Sequence, residues 1–393
     1  TVLRVGHFEV TQLPLQAQRQ KILVVSSMVP GTTAQYLVDA LITLGHDVRV
    51  ISDVAHPYAG GRAFGLFDPR QWAQKNCFIP DILFFIEGGT RRLFPAERVS
   101  EATKHVWYAI DSHIHLQEHQ AVAKLFDLTF VAHYEYVARL GVDTTHWLPV
   151  AAASMSHVET SQRDLDIAYV GSMNRGMYES RARLLDMLMQ RFPRSYIGRA
   201  KPEEIPAIYQ RAKIVFNWSL NNDVNMRYFE AMSAGAVLVT NKLHASGAEF
   251  LFQPGIDYLE YEDEANLLQS IEQLLNDPKL LDQIGRHGQK TVQAKHTYLQ
   301  RAQQLMQQLG SLKTSVHPTP LECLNAYEKM DCPEGVALYA SRLLSEIYRR
   351  RDHSQLLKIF GLGMQWLSGL MVRAYQWRYR IRDWRLSRKK RLQ

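Results

Sequence analysis

Three side chains that could hold a nucleotide stand close together in Asn225-Met226-Arg227-Tyr228-Phe229-Glu230-Ala231-Met232-Ser233-Ala234-Gly235. The stretch predicts a short helix that ends at Gly235, where glycine supplies the left-handed cap. It runs straight into an apolar strand over 236–240, the kind covered on both faces of a parallel sheet. Arg227 and Glu230 stand three positions apart near the helix start and share one face. A helix N-terminus favours a phosphate. Arg227 either grips a diphosphate or pairs with Glu230. A carboxylate in this place can accept two hydroxyls of a ribose. Asn225 stands at the helix start, as a cap or as a donor-substrate contact, and both roles can hold. Helix start, arginine and glutamate together are what a nucleotide-sugar pocket needs.

Other candidates follow predicted strands. Gly171-Ser172-Met173-Asn174-Arg175 lies between a strand and a helix. Its small residues let backbone N–H groups approach phosphate oxygens, and Arg175 adds charge. Gly198-Arg199 follows the next strand and would flank a base. Ordinary turn chemistry between strand and helix is the competing reading of both. Asp111-Ser112-His113-Ile114-His115 follows a strand over 106–110. His113 or Asp111 there could take a proton from a hydroxyl, against helix capping by Asp111 or Ser112 and surface histidines. Two imidazoles two positions apart also suggest metal, but no third ligand stands out. Glu87-Gly88-Gly89-Thr90 is a further loop on that side. Asp164-Leu165-Asp166 has the spacing of an Asp-x-Asp metal motif, but it stands where a strand begins, opposite the ligand end, and reads as a chance match.

The elements that would carry these residues form two α/β sets. Strands are predicted over 21–26, 47–52, 81–86, 105–110 and 128–132, with a helix from the 30–31 loop to Leu44. This is a βαβ opening of a doubly wound sheet. The loop over 26–32 lacks the three-glycine dinucleotide fingerprint, which argues against a redox cofactor. Residues 146–150 read as the exit into a linker. A second set has strands over 167–170, 195–197, 214–217 and 236–240, closed by helices over 264–275 and on to Gln308. Two such sheets leave a cleft between their carboxyl ends, where ligands bind. Pro318 and Pro320 mark a break, and helical patterns follow at 321–330, 334–350 and from 354. The predicted domains are 1–150, 151–312 and a helical basic extension, 313–393.

The order and spacing of motifs over roughly 20–310 resemble the GT-B glycosyltransferases of the group 1 type, and most of all the CgeB-like branch typified by spore-maturation proteins. The likeness rests on the block at 225–241, then Phe252-Gln253-Pro254-Gly255-Ile256-Asp257-Tyr258, Tyr261-Glu262-Asp263 and His296-Thr297-Tyr298-Leu299-Gln300-Arg301-Ala302. Upstream, Asp166-Ile167-Ala168-Tyr169-Val170-Gly171-Ser172-Met173-Asn174 fits too. The resemblance implies two Rossmann-like domains facing across a cleft, with the donor on the C-terminal domain and the acceptor on the N-terminal one. It implies that Glu230 grips the donor's ribose hydroxyls, and that the enzyme needs no cofactor beyond a nucleotide diphosphate sugar and no bound metal. Many group 1 enzymes carry a second glutamate eight positions earlier. Here that position is Asn222, a candidate donor contact beside Asp223, and the change puts the sugar contacts of the wider class and a retaining mechanism in doubt. The implied activity is transfer of a sugar to an acceptor hydroxyl on a glycan, lipid or protein. The alternatives are a nucleotide-sugar-binding scaffold without transfer, or a nucleotide-sugar epimerase of the same architecture.

Bulk composition is compatible with this. The 393 residues are 46% apolar, enough for two cores and more. Cys77, Cys323 and Cys332 have no metal-type spacing and suggest a reducing compartment. No basic-then-apolar leader opens the sequence, and no apolar run reaches spanning length. The expected location is cytoplasmic. The net charge of +7 is uneven: from Arg349 onward thirteen Lys/Arg face Asp352 and Asp383, a balance of +11, which leaves −4 on residues 1–348. The apolar stretch 359–372, followed by aromatics and arginines, could lie on an anionic inner membrane face. Packing on the catalytic body is the competing role. Nucleic acid is not expected, because no base-reading module accompanies the charge.

Overall fold

The computed structural model describes residues 18–52, 59–62, 65–88, 93–95, 98–153, 163–172, 179–312, 315–330 and 332–350. The apolar run after Lys21 makes β1 (Lys21–Val25), buried at every position but the first. Helix α1 (Thr33–Thr43) buries Ala34, Leu37, Val38 and Leu41, the three-four spacing of one helical face. The chain continues through β2 (Asp47–Ser52), β3 (Ala59–Arg62), β4 (Gly65–Phe67), α2 (Pro69–Lys75), β5 (Ile82–Ile86), β6 (Leu93–Pro95) and β7 (Lys104–Ala109). Then come α3 (Ser112–Ala123), β8 (Leu128–Val131), α4 (Tyr136–Arg139) and β9 (Thr145–Trp147). Seven of these strands form one parallel sheet in the order β3-β2-β1-β5-β7-β8-β9, while β4 and β6 pair apart.

The second set begins with β10 (Leu165–Val170), α5 (Glu179–Arg191) and β11 (Ser195–Gly198). A 3-10 turn at Pro202–Glu204 leads into α6 (Ile205–Arg211) and β12 (Ala212–Asn217). Next are α7 (Met226–Ser233), β13 (Val237–Asn241), α8 (Ala248–Leu251) and β14 (Leu259–Tyr261). Three helices end the set: α9 (Glu264–Asn276), α10 (Pro278–Lys295) and α11 (Tyr298–Ser311). Its parallel sheet runs β11-β10-β12-β13-β14.

Both sheets reverse direction internally. In the first, β2 lies on one side of β1 and β5 on the other; in the second, β11 and β12 flank β10. Ligands of open parallel sheets bind beyond the carboxyl ends of the strands at such a switch point. The chain crosses between the halves twice in one place. Ala152 donates its N–H to the His296 carbonyl (3.0 Å) and accepts from the Tyr298 N–H (3.0 Å). The buried Arg301 donates Nε to the Pro149 carbonyl (2.8 Å). Helix α11 then lies along α1 of the first half, and Lys104 of β7 donates Nζ to the Leu309 carbonyl at its far end.

The chain divides into two compact units after Val316. In the second, α12 (Pro320–Lys329) and α13 (Pro333–Arg350) form a helical hairpin. A Thr319–Glu322 capping box starts it, and Tyr327 stacks on Tyr339 at 5.4 Å between centroids. The third helical pattern, from 354, and the basic run at 359–393 lie outside the described residues. Among the described residues no helix is long and apolar enough to cross a membrane.

Candidate functional site

The second sheet's switch point lies between β10 and β12, and Arg227 reaches into it from α7. Its Nη2 donates to the Val170 carbonyl that ends β10, and its Nη1 to Asn217 Oδ1 at the end of β12, both at 2.6 Å. The guanidinium lies 4.5 Å from the centroid of the Tyr169 ring. Among the described residues its buried Nε has no hydrogen-bond partner, and neither has the Tyr169 hydroxyl. Gly171 makes this approach workable, because a Cβ there would stand 2.7 Å from Tyr169 Oη and 2.8 Å from Arg227 Nη2. A cation is therefore held at the crevice by neutral groups, and no carboxylate is hydrogen-bonded to it among the described residues. Ser172 follows, its carbonyl accepting from Arg181 (2.9 Å). Asn174 and Arg175 lie outside the described residues.

Asn225 caps α7: its Oδ1 accepts from the Arg227 N–H at 3.2 Å. Glu230, one turn further, is half-buried. Its carboxylate makes no hydrogen bond or ion pair among the described residues. Burial raises its pKa above the ordinary carboxylate value, and Arg227 only partly offsets this. Its charge is felt by Tyr36 of α1 and by Tyr209 and Tyr298. The first half thus meets α7 here: the Tyr36 and Tyr298 rings pack tilted with centroids 5.2 Å apart, and Thr33 Oγ1 lies 2.8 Å from Tyr298 Oη and 3.8 Å from Met226 Sδ. Gly31, in the loop before α1, lies against Pro202 of the second half. Arg199, three residues before Pro202, has an exposed side chain, and its carbonyl accepts from the Tyr196 hydroxyl.

Asn222 does not face the crevice as a free amide. With φ +58°, it donates to the His244 carbonyl (2.7 Å) and accepts from the His244 N–H (2.9 Å). The neighbouring Asp223 is the carboxylate presented at this turn, held by the Ser219 hydroxyl at 2.7 Å. Its negative charge reaches His133, which follows β8 in the first half.

On that side Glu87 organises the turn after β7. One carboxylate oxygen accepts from the N–H groups of Ile110 (2.7 Å) and Asp111 (2.9 Å), and the other meets His119 Nε2 (3.1 Å). Burial works against this carboxylate's charge, but these bonds outweigh it and bring the pKa down to about 2. His119 Nδ1 in turn contacts the buried Ser112 hydroxyl at 2.9 Å. Asp111 is exposed and makes no side-chain cap. Partial burial and the nearby Glu87 raise its pKa. His113 stands edge-to-face on His133, centroids 4.8 Å apart, with its Nδ1 buried and unpartnered. Burial lowers the His133 pKa to about 4. Gly88 lies against the buried Ser26, while Gly89 and Thr90 lie outside the described residues.

The structure therefore gathers Asn225, Arg227, Glu230 and Gly171 at one crevice, and Asp111 with His113 at the facing strand ends. It directs Asn222 to a loop–loop bond. Sequence reasoning missed Tyr169, Asn217, Tyr36, Tyr298, His133 and Asp223. Position at a strand's carboxyl end was a usable signal for Asn217 and His133. The Asp164 and Asp166 carboxylates are occupied by Arg211, Arg194 and Lys213. Among the described residues no group of three acidic, histidine or cysteine side chains could hold a metal ion. A groove lined by Arg191, Leu268, Glu272 and Asn276 lies by the end of α5, toward the amino ends of the strands and away from this chemistry.

Residues 155–307 match the family model described as "Glycosyl transferase-like". A comparison with curated proteins finds no match. Among solved structures, sucrose-phosphate synthase from Thermosynechococcus elongatus aligns at 15% identity and TM-score 0.55, over 75% of this chain and 99% of that one. Anabaena HepE, solved with UDP-glucose, aligns at 14% and 0.53, over 75% and 100%. An alpha-glucosyltransferase solved with UDP and a DNA 13-mer containing an HMU base aligns at 12% and 0.53, over 75% and 100%. The fold is GT-B, and its second half carries the match to the glycosyl transferase-like family model.

Proposed function

We propose that the protein transfers a sugar from a nucleoside diphosphate sugar to an acceptor hydroxyl. The observation that carries this reading is the pairing, at the start of α7, of the half-buried Glu230 carboxylate with the Arg227 cation: among the described residues the first has no hydrogen-bond partner and the second is held only by neutral groups. A half-buried carboxylate without donors is costly. Two ribose hydroxyls would satisfy it. The positive end of α7 and the guanidinium would stabilise the diphosphate as it leaves, which is the electrostatic help such a transfer needs and the reason we expect no metal requirement. Closure of the halves would keep water from the donor.

Within this reading His113 or Asp111 takes the acceptor's proton if the reaction inverts. Assignment to the CgeB-like branch rests on the motif order alone. The basic run at 359–393 is proposed to hold the protein peripherally on an anionic inner membrane face, which co-sedimentation of the full chain with anionic vesicles at low and high salt would test. The donor is tested by thermal shift with UDP, GDP, ADP, CMP and dTDP. UDP comes first, because HepE was solved with UDP-glucose. One nucleotide should raise the melting midpoint by mass action. No shift with any of them would overturn the proposal.

A further inference from the structure

Arg227 is held by a chain of neutral groups that runs back into the second sheet. Asn217 Oδ1 accepts from its Nη1 at 2.6 Å, and Asn217 Nδ2 donates to Thr240 Oγ1 at 3.0 Å. Asn217 and Thr240 are both fully buried. They are register partners where β12 pairs with β13, so their side chains leave the sheet on one face. The chemistry of the neighbours fixes which way the amide points. A guanidinium only donates, so the amide oxygen must face Arg227, and its NH2 must then face a group that accepts. Thr240 is that group. A valine there would leave the NH2 without its acceptor and the amide free to turn over.

The strand ends behind this pair are tied as well. Asn241, the last residue of β13, accepts from the Ser219 N–H through Oδ1 (2.8 Å) and donates Nδ2 to the Ser219 carbonyl (3.2 Å). The backbone just after β12 therefore cannot carry Asn217 away from Thr240. On its other sides the guanidinium meets the Val170 carbonyl, the Tyr169 ring and the Tyr209 hydroxyl. The described groups that bond Arg227 thus carry no formal charge. An aspartate at 217 would occupy the same space and hold the guanidinium more tightly, through a charge-assisted bond. It would also offset the cation's charge at hydrogen-bond distance.

We infer that Asn217 and Thr240 are positioning residues for the diphosphate: together they fix the Arg227 guanidinium in the crevice while leaving its positive charge to the phosphates. An amide rather than a carboxylate at 217 is what separates these two tasks. This inference rests on the proposed function and adds how the crevice keeps its cation available. A cation fixed before the ligand arrives needs no reorganisation when negative charge builds on the leaving diphosphate. Neither Asn217 nor Thr240 touches the ligand; both act through Arg227.

The test is calorimetric titration of wild type, Asn217→Asp, Thr240→Val and Thr240→Ser with UDP and with uridine, which carries no phosphate. The diphosphate and nucleoside of another base replace them if the nucleotide screen selects it. Asn217→Asp should lose about tenfold or more for UDP, the scale of one interaction with a charged group, and keep its affinity for uridine. Thr240→Val should lose UDP affinity in the same selective way, and Thr240→Ser, which keeps the hydroxyl, should restore most of it. A merely structural pair would instead weaken both ligands alike. Scanning calorimetry without ligand reports which variants fold, and if Asn217→Asp does not, the Thr240 variants decide alone. Unchanged UDP affinity in folded Asn217→Asp or in Thr240→Val would overturn the inference and leave the nucleotide site standing. So would losses as large for uridine as for UDP, or a Thr240→Ser as weak as Thr240→Val. Failure of wild type to bind any nucleoside diphosphate would remove the proposed function as well.

Discussion

Replacing Glu230 by glutamine separates a ligand-binding carboxylate from a structural one. The change keeps the shape and removes the charge. The wild-type carboxylate has no hydrogen-bond donor among the described residues, and burial raises its pKa. A raised pKa means that folding favours the protonated form. The group's contribution to stability is present at low pH and is lost as pH rises through the folded-state value. At neutral pH the charge therefore works against the folded protein, and Glu230→Gln should melt at the same temperature as wild type or higher. Nucleotide binding should move the other way. Hydrogen bonds to a charged group contribute about 1.5–3 kcal/mol, and glutamine keeps one acceptor oxygen, so the loss should be about tenfold to a hundredfold in affinity. Calorimetry with the nucleoside diphosphate chosen by thermal shift, alongside scanning calorimetry without ligand, gives both numbers. A lower melting temperature with unchanged affinity would refute the reasoning, because Glu230 would then be a structural group.

The remaining expectations test its surroundings. Gly171→Ala should displace the guanidinium of Arg227, at a cost of about 1–3 kcal/mol for overpacking, and weaken nucleotide binding; urea denaturation and the same titration read both effects. Arg163 donates to the carbonyls of Tyr209, Gln210, Ala212 and Ala234 at the ends of α6 and α7. Arg163→Ala should cost about 3 kcal/mol, the scale of hydrogen bonds from a charged donor, visible as a lower urea midpoint. Burial lowers the pKa of His105 and His296 to about 3 and of His133 to about 4. These rings stay neutral in the fold but take protons when unfolded, so stability should fall as pH drops below about 6.5, by up to about 1.4 kcal/mol per pH unit for each. A flat urea midpoint between pH 7 and pH 5 would contradict their burial. Sugar transfer assayed in EDTA should keep most of its rate, and full loss with rescue by manganese or magnesium would sink metal independence.

The sheets were legible because parallel strands buried on both faces leave continuous apolar runs, as in Ile82–Ile86 and the stretch 236–239 that opens into β13. Helix α7 was legible through its cap and Gly235. Short elements escape: β9 at Thr145–Trp147 overlaps the stretch 146–150 that reads as the exit into a linker, since three residues carry too little alternation to stand out from it. At the site, residues on one helix could be grouped by spacing, and so Arg227 and Glu230 emerged. That Asn217 and the Val170 carbonyl hold Arg227 depends on which strands flank β10, a long-range fact that spacing does not encode. Asp223 and His133 are ninety residues apart in sequence, and the charge of one reaches the other only because the two halves come together. Asn222 stands at the register of a donor contact, but its left-handed backbone turns it to His244.

The most direct measurement is a crystal structure of the protein with the nucleoside diphosphate that stabilises it. The ribose hydroxyls should lie within hydrogen-bond distance of the Glu230 carboxylate, with the diphosphate at the start of α7 beside Arg227. A nucleotide bound elsewhere, or one whose ribose points away from Glu230, would contradict the account.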